Sequence, residues 1–175
     1  MRNYFHVLSN LLERSSPPLR RLSFTSKGLA PVLGQALIRL LGATPLLTNL
    51  SMKFVMTSDI FDRLCPTAIP DGDAPRVPDF LPELRVLHIA CDTGYKSLVK
   101  IIPSRLDPRS HSSALLSDFR FKWGSPNPAH NTTDWRKLDV IDDEVISSLK
   151  DVKRRGISIA VVDQRGKDFL QDEGV

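Results

Sequence analysis

The chain has 175 residues, is 41% hydrophobic and 25% charged, and carries a formal net charge of +4. That length suits one ordinary domain and crowds two. The composition excludes a disordered chain, no apolar run reaches the roughly 18–20 residues that span a bilayer, and the positive excess is mild.

Residues 3–14 place Phe5, Leu8 and Leu12 on one face at helical spacing, with Val7 and Leu11 adjoining. Ser15-Ser16-Pro17-Pro18 ends that helix. Leu19-Arg20-Arg21-Leu22-Ser23-Phe24 follows and reads L-x-x-L-x-F, a short strand with two apolar side chains on one face. Pro31 suits a first helical turn, Leu33, Leu37, Ile38, Leu40 and Leu41 make a broad apolar stripe, and Gly42 stops it. After Thr44-Pro45 the chain reads Leu47-Thr48-Asn49-Leu50-Ser51-Met52, again L-x-x-L-x-M.

A short helix capped by Thr57 or Ser58 buries Ile60, Phe61 and Leu64. Residues 66–82 then form a proline-rich surface excursion. Leu84-Arg85-Val86-Leu87-His88-Ile89 is the third such hexamer. Asp92 or Thr93 can cap a helix carrying Leu98, Val99, Ile101 and Ile102, ended near Pro103. Leu116-Ser117-Asp118-Phe119-Arg120-Phe121 is the fourth hexamer, and residues 124–137 form a second excursion.

The last helix is the best marked. Asp142 can cap it, Asp143 and Glu144 sit in its first turn, and Val145, Ile146, Leu149 and Val152 form its stripe. Lys150 to Arg155 is the densest basic run in the chain. It reads better as a last helical turn, where cations meet the dipole and Gly156 closes the helix, than as a phosphate patch. Residues 157–162 alternate as a closing strand. Residues 166–175 read as a tail whose candidate anchors are Phe169 and Leu170.

The hexamers begin at Leu19, Leu47, Leu84 and Leu116, and each interval holds one predicted helix. A strand–helix period with L-x-x-L-x-L at each strand is the leucine-rich-repeat pattern. A single unit cannot bury its apolar faces, whereas stacked units share a parallel sheet on one side, helices on the other and a continuous core between. The expected fold is therefore α/β, an irregular solenoid over residues 1–165 closed by the helix and strand of 142–162. Where the strict repeat carries Asn or Cys, the four units carry Lys27, Val55, Asp92 and Gly124, which predicts a loose arc. An ordinary parallel α/β domain with leucine-rich strands is the plainer alternative.

Thr44-Pro45-Leu46-Leu47-Thr48-Asn49-Leu50-Ser51, Phe80-Leu81-Pro82-Glu83-Leu84-Arg85-Val86-Leu87, the helix-like run 98–105, and the ending 143–150 with 155–159 together resemble the leucine-rich-repeat tails of fungal F-box-like proteins. The resemblance covers roughly residues 17–162 and rests on repeat phrases. It implies a non-enzymatic module that selects a protein substrate for a cullin ubiquitin ligase. In such proteins an upstream F-box binds the Skp adaptor. No F-box-like run precedes the first hexamer, so the chain reads as the C-terminal part of such a protein, with the adaptor as partner only where an F-box stands upstream.

Residues alternating with the core positions define the candidate binding face. These are Arg21, Ser23 and Thr25; Asn49, Ser51 and Lys53; Val86, His88 and Ala90; Asp118, Arg120 and Lys122; with Ser158 and Ala160 extending the row. Their polar, positively biased mixture suits a protein or peptide partner of some acidic character, and neither a nucleic acid nor a membrane is expected. His6, His88, His111 and His130 fit no metal spacing, and no G-x-S-x-G elbow or phosphate-cradling glycine loop occurs, so no catalytic residue and no cofactor are expected. The one enzyme-like phrase is Ile159 to Asp163 with Gly166, a strand ending in D-x-x-G. It leaves a small nucleotide-binding or enzyme fragment as the alternative. Cys65 and Cys91 lack C-x-x-C spacing and read as reduced thiols, which places the expected site of action in the cytoplasm or nucleus.

Overall fold

Each hexamer becomes a strand because its alternation leaves one apolar face to bury. The structure is a computed structural model that describes residues 2–15, 17–25, 31–53, 58–64, 80–91, 105, 116–123, 143–162, 166 and 168–171. Its strands are β1 (Arg21–Thr25), β2 (Asn49–Lys53), β3 (Val86–Cys91), β4 (Asp118–Trp123) and β5 (Ser158–Val162). The described helices are α1 (Arg2–Ser15), α2 (Pro31–Gly42), α3 (Ser58–Leu64) and α4 (Asp143–Arg154). The architecture is α/β, with the five strands in one all-parallel sheet of order β1-β2-β3-β4-β5.

Pairing keeps the hexamers in step. Leu22, Leu50, Leu87, Phe119 and Ile159 form one row across the sheet, and Phe24, Met52, Ile89, Phe121 and Val161 form the next. All are buried except Leu22 and Phe24, which lie on the edge strand β1 and are half-buried. The unit-opening Leu47, Leu84 and Leu116 are buried with them. In the fifth strand Gly156 falls in that place, and the neighbouring Ile157 packs against the core instead.

The strand entries are in step as well. The carbonyl of Arg20 accepts the N–H groups of Thr48 and Asn49 at 2.9 and 3.0 Å. Thr48 O accepts Arg85 N and Val86 N, both at 2.9 Å, and Arg85 O accepts Ser117 N and Asp118 N at 2.8 and 3.2 Å. Two entries use the same turn. Leu47 N donates to Thr44 O across Pro45, and Leu84 N donates to Leu81 O across Pro82. Proline's fixed φ suits the second position of such a turn.

The helices supply the other side of the core. From α2 come Ala36, Leu37, Leu40 and Leu41, from α3 Ile60 and Leu64, and from α4 Leu149, with Ile146 and Val152 beside it. The Thr44 hydroxyl donates to Leu41 O at 2.9 Å and so satisfies one carbonyl at the end of α2. Gly156 closes α4 at φ 91°, with its N–H on Lys153 O.

Several expectations need correction. The apolar stripe of α1 is only partly used. Leu12 is buried against the core, but Leu8 is 38%, Leu11 59% and Val7 64% exposed. α1 packs on α2 at the end of the helix row, and no described element covers its outer side. The described end of the 66–82 excursion is bend and turn but does not stay at the surface, because Leu81 is buried; its φ of 56° stores roughly 1 kcal/mol of backbone strain. The turn leading into β3 thus begins inside the core. The tail, by contrast, is held at its candidate anchors: Asp168 bridges Val162, Phe169 N donates to Val161 O at 2.9 Å, and Leu170 is buried. The helix expected after Asp92, the Asn/Cys positions, Asp142 and the 124–137 excursion lie outside the described residues.

Candidate functional site

With one face of the sheet in the core, the pleat turns the alternate residues to the other face. Register then arranges the candidates in three rows. Arg21, Asn49, Val86, Asp118 and Ser158 form the first. Ser23, Ser51, His88, Arg120 and Ala160 form the second, and Thr25, Lys53, Ala90, Lys122 and Val162 the third. Arg21, Ser23, Thr25, Lys53, Arg120, Lys122 and Ser158 are exposed, and the other eight are half-buried. All fourteen residues singled out as a binding face therefore share one surface, which no described helix covers.

The polar groups at its centre are organised. Asp118 lies between three partners. His88 Nε2 stands 3.1 Å from its Oδ2, while the Ser158 hydroxyl at 3.1 Å and Arg120 Nε at 3.3 Å donate to its Oδ1. Burial alone pushes the Asp118 carboxyl up. The hydrogen bonds from His88 and Ser158 and the charge of Arg120 outweigh that, so it sits below its ordinary value. Asp118 is thus held as a carboxylate and spent within the sheet. The pairing with His88 was not legible in the hexamers: the residue across from His88 is Arg120, and Asp118 reaches it on the diagonal. Just before the strand start, Thr48 donates to Arg20 O at 2.9 Å and Ser117 to Arg85 O at 3.2 Å, so hydroxyls at the same unit position bind the same carbonyl rung.

The second basic region behaves differently. Lys150, Lys153 and Arg154 line an open cleft with Leu170 and Gln171. Lys153 Nζ donates to Leu170 O at 3.4 Å and stands 3.8 Å from Asp168, and Arg154 pairs with Asp151 at 2.8 Å. Lys153 thus ties the end of α4 to the 168–171 turn, and Arg154 pairs within the helix, which agrees with a last-turn role. Gly166 adopts φ 84°, and Asp168 pairs antiparallel with Val162 of β5; Asp163 lies outside the described residues.

One polar residue was missed. Arg105 is 1% exposed and forks onto three carbonyls: Nε donates to Leu64 O, Nη2 to Phe80 O, and Nη1 to Leu81 O at 3.2 Å. It joins the end of α3 to the entry of β3, and its own carbonyl accepts Leu116 N. A lone arginine after an apolar run gives no signal of this, because nothing nearby in sequence names its acceptors.

Among the described residues no three His, Cys, Asp or Glu side chains gather where a metal could be held, and no helix is long and apolar enough to cross a membrane. Comparison with known proteins gave no match to a family model, a curated protein or a solved structure.

Proposed function

We propose that the chain is a non-enzymatic protein-interaction module whose open sheet face holds a protein partner. In this reading its units form a leucine-rich-repeat-like solenoid of the kind that selects substrates in F-box-type ubiquitin-ligase subunits, acting in the cytoplasm or nucleus. The observation that carries the reading is the register. Five parallel strands in sequence order give one continuous surface of fifteen side chains, polar at its centre, opposite a fully apolar face. A sheet face of this extent, covered by none of the described helices, is a surface on which a partner can bury area without disturbing the core. The Skp adaptor enters as a partner only through an upstream F-box.

The test is quantitative affinity enrichment from cells of the source organism, comparing the wild-type chain with the double variant Arg21→Glu/Arg120→Glu. Circular dichroism of the two should superpose, since both side chains are exposed and Asp118, though it loses Arg120, keeps His88 and Ser158. Specific partners should fall about tenfold or more with the variant, the equivalent of ~1.4 kcal/mol of lost charge complementarity. Equal recovery of every partner by both proteins removes the open face as the binding surface.

A further inference from the structure

The charges of the open face sort along the strands. Four cations, Arg21, Lys53, Arg120 and Lys122, stand against one carboxylate, Asp118. That carboxylate lies in the first row and is occupied by His88, Ser158 and Arg120. The third row, at the C-terminal end of the strands, holds Lys53 on β2 and Lys122 on β4 with Ala90 between them. Both lysines are exposed, and neither makes an ion pair among the described residues. Adjacent strands lie about 4.8 Å apart, so residues two strands apart are separated by about 10 Å. Ala90 projects only a methyl group, which leaves a shallow notch floored by alanine and walled by two lysine stems. Ser51, diagonal to Ala90, adds a hydroxyl at its side.

We infer that this notch over Ala90, between Lys53 and Lys122, is where the open face receives an acidic peptide segment of its partner, each lysine meeting one of two carboxylates about 10 Å apart. The inference rests on the interaction-module reading and specifies the chemistry of its ligand. A peptide fits better than a nucleic acid. The face offers two unspent cations in the row, against the 6–10 phosphate contacts of a typical nucleic-acid site. None of its fifteen residues is a Phe, Tyr or Trp, and the single imidazole, His88, is held by Asp118, so the face lacks the row of aromatic platforms on which successive bases stack. The lysine stems and the Ala90 and Val162 side chains supply apolar contact for a peptide backbone.

Fluorescence anisotropy tests it with three labelled probes: a peptide of repeated Glu-Gly-Ser-Glu, the same peptide with lysine for glutamate, and a single-stranded oligonucleotide of equal charge. The wild-type chain should bind the acidic peptide, reject the lysine peptide, and lose most of the signal in 0.5 M salt, where exposed charges are screened (Debye length about 4 Å). Lys53→Ala/Lys122→Ala should weaken the acidic peptide at least tenfold. Arg39→Ala/Arg155→Ala, which removes the same charge from exposed helix and turn positions, should change it less than twofold. Equal affinity of wild type and Lys53→Ala/Lys122→Ala, absence of acidic-peptide binding, or tighter binding of the oligonucleotide overturns the inference. If Arg21→Glu/Arg120→Glu still loses its cellular partners while the lysine pair proves indifferent, the interaction reading stands and only the notch is rejected. If neither pair matters, both fall.

Discussion

Arg105 shows how one side chain can set the geometry of distant segments. Its guanidinium satisfies carbonyls of Leu64, Phe80 and Leu81, and so brackets both ends of the stretch between α3 and β3. A buried cation is costly unless its donors are met, and here a planar fork meets carbonyls from two segments. Arg105→Met keeps most of the volume and leaves those carbonyls without their donor. Urea denaturation should report a loss of about 2–4 kcal/mol. Arg105→Lys should recover only part, because a single ammonium cannot reproduce the fork. A midpoint unchanged by Arg105→Met would show that the clamp contributes nothing to stability.

At the scale of elements, the closing helix and strand are the clearest case of local signals agreeing with the fold. The Ile146, Leu149 and Val152 stripe packs on the core, Lys153 and Arg154 occupy the last turn, and Gly156 turns the chain into β5. Gly156 lies at φ 91° with open space where a Cβ would stand, so its requirement is one of backbone conformation, not of room. Gly156→Ala should therefore cost about 1 kcal/mol, read as a fall in melting temperature of roughly 2–4 °C for a domain of this size. An unchanged melting temperature would mean that the turn does not need the left-handed conformation.

For the whole molecule, the two edges of the sheet differ. The edge at β5 is covered, because Asp168 and Phe169 bond to β5 and Leu170 is buried beneath them. At the other edge, Leu22 and Phe24 of β1 are half-buried, and α1 presents Val7 and Leu11 outward. An exposed apolar helix face and a strand edge that no described strand pairs both favour association. Val7→Glu/Leu11→Glu should lower concentration-dependent light scattering while leaving the melting curve within about 0.5 kcal/mol of wild type, as expected of surface changes. Unchanged scattering would assign any association to another surface.

Legibility varied with how local each determinant is. The repeated hexamer located four strands to within two residues, and its alternation named the open face, because both follow from the pleat. Three things escaped it. The α1 stripe was legible as a helix, but its spacing could not say that no described element covers its outer side. Leu81 looked like part of a proline-rich loop, since a positive φ in a leucine leaves no mark in sequence. The partners of Asp118 and Arg105 come from residues 24–41 positions away and from neighbours two places along, depending on register and on chain crossings that no local pattern encodes.

The amino-acid sequence by itself determined which residues are strand, which side of each strand is apolar, and where α2 and α4 stop, because periodicity, proline and glycine act over a few residues. Only the tertiary structure decided the sheet order, the row-by-row register, the satisfaction of Asp118 and the resulting separation of spent from unspent charge. Those depend on contacts between units 28–40 residues apart, where the gain is burial of a shared core and not local propensity.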